Sequence, residues 1–158
     1  MAAANGAGLA AALSLGGIGI QMGTRFIATQ DSDFIQMWKE EILESDEKGS
    51  HVGISVFGPA RYLKNEVSTT LSELFRRGYQ EGYEEGVKLE MRGIRLLTEG
   101  KDPGHSVFLG GEVAGRINQV PSVEQLVKGV SAEAESVSSV CAGSSPKDER
   151  TSLNPEYS

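Results

Sequence analysis

The amino-acid sequence predicts an α/β fold with parallel strands. Stretches with helical spacing alternate with short runs of strand spacing over residues 1–57. The strand-like runs are β-branched and bounded by glycine or a polar turn. At 158 residues the chain is long enough for one domain with a real core. Only two or three strands are convincing, so a closed barrel or a doubly wound sheet is incomplete over this length.

The elements follow in order. Asn5-Gly6-Ala7-Gly8 is a turn, and Asn5 is placed to cap the helix that follows. Leu9 to Leu15 reads as that helix, since alanine and leucine are strong helix formers. Gly16-Gly17 ends it. Ile18 to Met22 reads as a short strand, closed by Gly23-Thr24. After a polar loop over residues 28–32, the spacing of Phe34, Met37, Trp38 and Ile42 predicts a helix from about Asp33 to Glu44. Val52, Ile54 and Val56 alternate as a strand. Gly58-Pro59 interrupts the next stretch, so residues 57–65 are expected to be irregular. Two amphipathic helices follow, from about Val67 to Arg77 and from Tyr83 to Leu97, the second with Val87, Met91, Ile94 and Leu97 on one face. Residues 100–104 form a turn. Ser122 caps a last helix from about Val123 to Ala134. Eight serines fall in the 28 residues from Ser131 onward, and residues 136–158 are expected to be a disordered tail.

Composition excludes several classes. The formal charge is −7 with no basic block, which disfavours nucleic acid. One cysteine, Cys141, excludes a disulfide framework and a multi-cysteine zinc site. The apolar stretch near the start has no basic residue before Arg25 and is broken by Gly16, Gly17 and Gly19, unlike a leader or a membrane span. Without a targeting feature the default compartment is cytoplasmic. The acidic runs around Glu40-Glu41 and Glu84-Glu85 read as solvated helix faces, so no metal site is expected. His51 and His105 read as surface or turn residues, and Trp38 and Phe34 as packing residues.

Residues 5–26 carry the chemistry. A glycine-rich turn opens one helix, and a strand then ends in Gln21-Met22-Gly23-Thr24. Helix N-termini offer unpaired N–H groups that suit phosphate. Gly23 lets the amides of Gly23 and Thr24 approach phosphate oxygens, and the Thr24 hydroxyl adds a donor. The plainer reading of these glycines is tight turns. Arg25 is placed either to reach a phosphate or to pair with a nearby acid.

The strings Gly6-Ala7-Gly8-Leu9-Ala10-Ala11-Ala12-Leu13-Ser14-Leu15-Gly16 and Ile20-Gln21-Met22-Gly23-Thr24-Arg25-Phe26 resemble the last two βα units of nitronate monooxygenases. Gly58-Pro59-Ala60-Arg61-Tyr62-Leu63 resembles that family's turn after the barrel. Gly111-Glu112-Val113-Ala114-Gly115-Arg116 resembles its near-terminal glycine motif, with Glu112 where the family usually has glutamine. The resemblance runs over residues 5–139. It implies the C-terminal part of a (β/α)8 TIM barrel lacking most of its strands. Residues 1–57 then hold the last two βα units, residues 58–135 a mainly helical extension, and residues 136–158 the serine-rich tail. It also implies FMN as cofactor, with Gln21, Met22, Gly23 and Thr24 holding the flavin phosphate, and an alkyl nitronate and O₂ as reactants giving a carbonyl compound and nitrite.

By the same resemblance, the family's paired glycines fall at Met1 and Ala2, and its catalytic histidine lies upstream. No catalytic residue is therefore expected among those present, and the chain alone is expected to bind FMN weakly or not at all. FMN-dependent enoyl-ACP reductases share the glutamine–glycine–threonine block and form one alternative; a non-catalytic truncated relative is the other.

Overall fold

A computed structural model describes residues 4–143. Among them are helices α1 (Gly6–Ser14), α2 (Thr24–Ile27), α3 (Gln36–Glu44), α4 (Glu66–Arg77), α5 (Tyr79–Thr98) and α6 (Val123–Gly143). Strands β1 (Ser50–Ser55) and β2 (Gly58–Leu63) form the sheet, and a 3₁₀ turn spans Glu112–Arg116. The chain is α/β, but helix dominates.

Three strand expectations are corrected. The two strands pair antiparallel, from Ser50 opposite Leu63 to Ser55 opposite Gly58, so the sheet is a hairpin and not a parallel pair. The Gly58-Pro59 pair does not break the chain into an irregular stretch. Among the described residues the 58–60 end of β2 pairs with β1 alone and is an edge, where proline is tolerated, and Gly58 supplies the positive φ of 108° that closes the short turn. Residues 18–22 form no strand ladder among the described residues. Gln21 alone sits in a bridge, Leu15 is 82% exposed and Ile18 is fully exposed. A strand exists through its neighbours, and this segment has none among the described residues to bury its side chains.

The helices lie where their periodicity places them, with shifted ends. The last helix runs on to Gly143, nine residues beyond Ala134, so its serines continue a helix as far as that residue. Residues 144–158, the rest of the expected tail, lie outside the described residues.

Helix α5 buries Leu97 and half-buries Val87 and Ile94, as their spacing predicts, but its most buried face is turned away from Met91. Met91 is 52% exposed, while Gly82, Gly86, Glu90, Gly93 and Leu97 are buried. The glycines allow backbone-close packing. A Cβ on Gly86 would lie 2.8 Å from Ile54 Cγ2, and one on Gly82 would lie 2.9 Å from the Leu74 carbonyl oxygen. The hairpin, α4 and α5 therefore form one tight layer, filled by Tyr62, Val67, Leu71 and Val107. A second core joins Ala28, Ile42, Leu63, Leu97, Phe108, Ala114 and Ile117. Within this second core Leu63 N–H donates to the Phe108 carbonyl at 2.8 Å, while their chain neighbours Tyr62 and Val107 belong to the first. Helices α1 and α6 pack together so closely that a Cβ on Gly6 would meet the Val130 carbonyl oxygen at 2.4 Å.

Glu90 fixes the hairpin from inside. It is 2% exposed and accepts from Tyr62 O–H at 2.7 Å and from Val56 N–H at 2.8 Å. Burial, with the Glu90 hydrogen bond second, pushes the Tyr62 phenol above its usual range.

Candidate functional site

The four sequence-nominated residues surround the start of α2. Gln21 is exposed, Met22 half-buried, Gly23 exposed and Thr24 buried. Gly23 caps α2, and its carbonyl accepts from Phe26 and Ile27. Among the described residues, the N–H groups of Gly23 and Thr24 have no hydrogen-bond acceptor. Gly23 has φ −91° and ψ −71°, a conformation open to any residue, and a Cβ there would meet nothing within 4 Å. Neither the backbone nor the packing of the fold thus demands glycine at this point.

Beside Gly23 lies an open groove of about 540 Å³, walled by Met22, Phe26, Ile27 and Phe34 with Asp31 and Asp33 at its rim. Phe34 meets Trp38 edge-on with ring centroids 4.7 Å apart, and Trp38 meets Phe108 at 6.2 Å, so aromatic packing ties this wall to the core.

The Thr24 hydroxyl has a structural task. Its oxygen accepts from Gly111 N–H at 2.9 Å, which docks the Gly110–Gly111 segment onto α2. Gly110 N–H in turn donates to the Arg61 carbonyl at 3.0 Å. The hairpin, the 3₁₀ segment and the start of α2 are therefore linked by consecutive hydrogen bonds. Glu112 pairs with Arg61 at 2.9 Å on the surface. Gly115 is also a contact glycine: a Cβ would lie 2.2 Å from the Asp46 carbonyl oxygen.

Three sequence expectations meet a different arrangement. Asn5 does cap α1, accepting from Gly8 N–H at 3.2 Å, but the leading Gly6 N–H donates to Glu133 Oε2 at 2.8 Å. A carboxylate of α6 thus already engages that end of α1. Arg25 does not pair with an acid among the described residues. It is 5% exposed, and its Nη1 donates to the carbonyls of Ala28 and Gln119, both at 3.1 Å. Burial lowers its pKa. His51 is half-buried, with Nε2 2.9 Å from Ser68 Oγ, inside the capping box of α4. Burial pulls its pKa below the usual histidine range. Sequence reading missed Glu90, because a carboxylate flanked by solvated acids on an amphipathic helix carries no mark of burial.

No group of three or more metal-ligating side chains occurs among the described residues. No helix among them is long and apolar enough to cross a membrane.

The sequence profile described as nitronate monooxygenase matches residues 3–133, most of the chain. The chain belongs to the nitronate monooxygenase family. Among curated relatives, a Mycobacterium tuberculosis protein named (3aS,4S,5R,7aS)-5-hydroxy-7a-methyl-1-oxo-octahydro-1H-indene-4-carboxyl-CoA dehydrogenase is 29% identical over 82% of this chain and 47% of its own length. A Staphylococcus saprophyticus protein named "Probable nitronate monooxygenase" is 37% identical over 44% of this chain and 20% of its own. The solved structure of FabK from Thermotoga maritima superposes with a TM-score of 0.75 at 28% identity, covering 90% of this chain and 45% of that one. A point mutant of the same protein gives 0.71 at 27% identity, with coverage of 90% and 42%. The chain thus spans half or less of the length of these relatives.

Proposed function

We propose that residues 21–24 form the flavin-phosphate end of a nitronate monooxygenase fold, and that this family member oxidises alkyl nitronates with O₂ to a carbonyl compound and nitrite. We read the chain as the C-terminal part of a (β/α)8 barrel, with α1 and α2 belonging to its last two units. FMN is the cofactor this reading requires. The carrying observation is Gly23: a glycine that the fold does not need, beside two amides that have no acceptor among the described residues. Those N–H groups suit the oxygens of a phosphate dianion, and the missing side chain lets them come within hydrogen-bond distance.

FMN supplies the electron transfer between nitronate and O₂. The chain's own residues bind and orient. The amides of Gly23 and Thr24 hold the phosphate, the backbone of Gln21 and Met22 leads into the site, and the Thr24 hydroxyl fixes the loop by accepting from Gly111. Thr24 therefore acts on the phosphate through its amide, with its side chain facing the other way. No residue present is assigned the proton-transfer role.

A second reading has support of its own. The curated relative with the longer match is named as a dehydrogenase of a CoA ester. A flavin-dependent oxidoreductase acting on an acyl thioester, such as an enoyl-ACP reductase, would use the same phosphate loop. Oxygen-dependent nitrite release from an alkyl nitronate supports the first reading; pyridine-nucleotide oxidation driven by an enoyl thioester supports the second.

The site itself is tested by Gly23→Val. The substitution leaves folding intact, because the position is open and its φ is ordinary. FMN binding is expected to be lost while riboflavin, which lacks the phosphate, binds both proteins equally weakly. Equal FMN binding by the variant and the parent overturns the assignment.

A further inference from the structure

A second cavity, of about 520 Å³, lies between α2, the 117–122 segment and α6. It is separate from the groove beside Gly23, and the inference drawn from it does not rest on the flavin reading. Its wall includes Arg25, Gln30, Gln125 and Asn5, with Glu133 on the α6 side.

Arg25 is the unusual member. As a residue Arg25 is only 5% exposed, and an arginine so placed ordinarily has a carboxylate partner, because desolvating an uncompensated charge is costly. Among the described residues only Nη1 is engaged, by the two carbonyls of Ala28 and Gln119. No carboxylate among the described residues lies within ion-pair distance of it. Gln30 holds the same segment, through its N–H to the Pro121 carbonyl at 2.9 Å and its Nε2 to the Val120 carbonyl at 3.1 Å. The carbonyls of residues 119–121 are thus pinned, and Arg25 is held in place with its Nε–Hε and Nη2 edge unused. That edge has the planar fork that matches two oxygens of a carboxylate or phosphate.

We propose that this cavity binds a small oxyanion, a carboxylate or phosphate group, on the unused edge of Arg25. Glu133 opposes it. Its carboxylate lines the same cavity and is anchored on Gly6 N–H. Like charges within one cavity repel, so Glu133 weakens the site and limits it to anions that approach from the Arg25 side.

Inorganic phosphate is the probe, titrated at constant ionic strength and followed by calorimetry and by the Arg25 Nε–Hε resonance. Saturable binding that moves this resonance is expected in the parent protein, and it persists in Gly23→Val, which disables only the proposed flavin-phosphate loop. Glu133→Gln binds about threefold more tightly or better. Arg25→Met loses binding. Should Arg25→Met fail to fold, Glu133→Gln and the Arg25 resonance decide. The proposal is overturned if the parent shows no saturable binding, if Gly23→Val abolishes it, or if the resonance stays fixed while Glu133→Gln changes nothing. Loss in Gly23→Val would instead place the phosphate on the amides of the flavin reading, so the two assignments fail separately.

Discussion

Replacing Glu90 by alanine removes the only carboxylate inside the hairpin layer among the described residues, and its cost can be worked from three hydrogen bonds. Val56 N–H, bound at 2.8 Å, loses its acceptor, and a stranded donor costs about 1–3 kcal/mol. Tyr62 O–H loses a charge-assisted bond of 2.7 Å, ordinarily about 1.5–3 kcal/mol, but keeps the Ile54 carbonyl at 2.9 Å, which recovers part of it. The gain in helix propensity from alanine is a few tenths of a kcal/mol. The net loss is about 3 kcal/mol, a large share of an ordinary domain stability of roughly 5–15 kcal/mol. Glu90→Gln keeps one acceptor and turns an amide NH₂ toward the other donor, so about 1–2 kcal/mol is lost. Urea denaturation reads both as lower midpoints at unchanged slope. If Glu90→Ala falls within about 0.5 kcal/mol of the parent, the range of an ordinary surface change, the buried network is not holding the hairpin.

Thr24→Val strands Gly111 N–H and lowers stability by about 1–2 kcal/mol, whereas Thr24→Ser retains the acceptor and most of the stability, as denaturant midpoints will show. Gly115→Ala forces a Cβ against the Asp46 backbone and costs about 1–3 kcal/mol or more, read as a fall in melting temperature. His51 has a folded-state pKa below its usual 6.5, so the unfolded chain binds the extra proton first. Its contribution is intact above pH 6.5 and is lost as pH falls from there through the lowered folded pKa. The difference in stability between the parent and His51→Gln therefore shrinks across that window by up to about 1.4 kcal/mol per pH unit. A difference that does not change with pH removes His51 from the account.

The helices were readable because their signals are local. Asn5 caps through its own side chain, and Val67, Leu71 and Leu74 recur at helical spacing on a face that is buried. The sheet was less readable because pairing is not local. Nothing near Ile18 shows whether a neighbour strand exists, and nothing near Pro59 shows that its strand is an edge. In α5 the apolar pattern included Met91, but three glycines let Ile54, Leu74 and Val107 come close against the helix backbone, and closeness of approach outweighs side-chain hydrophobicity. At the site, Gly23 was legible as a residue type that permits close approach. That its φ is ordinary, and its Cβ direction empty, required coordinates. Arg25 was legible as a charge, while its burial against two carbonyls depends on a segment almost a hundred positions away.

The most direct test of the phosphate loop compares FMN with riboflavin by amide chemical shifts at millimolar ligand, where weak binding still registers. The account predicts that the Gly23 and Thr24 N–H resonances move on adding FMN and stay in place with riboflavin. Resonances that ignore FMN, or respond to both ligands alike, would contradict it.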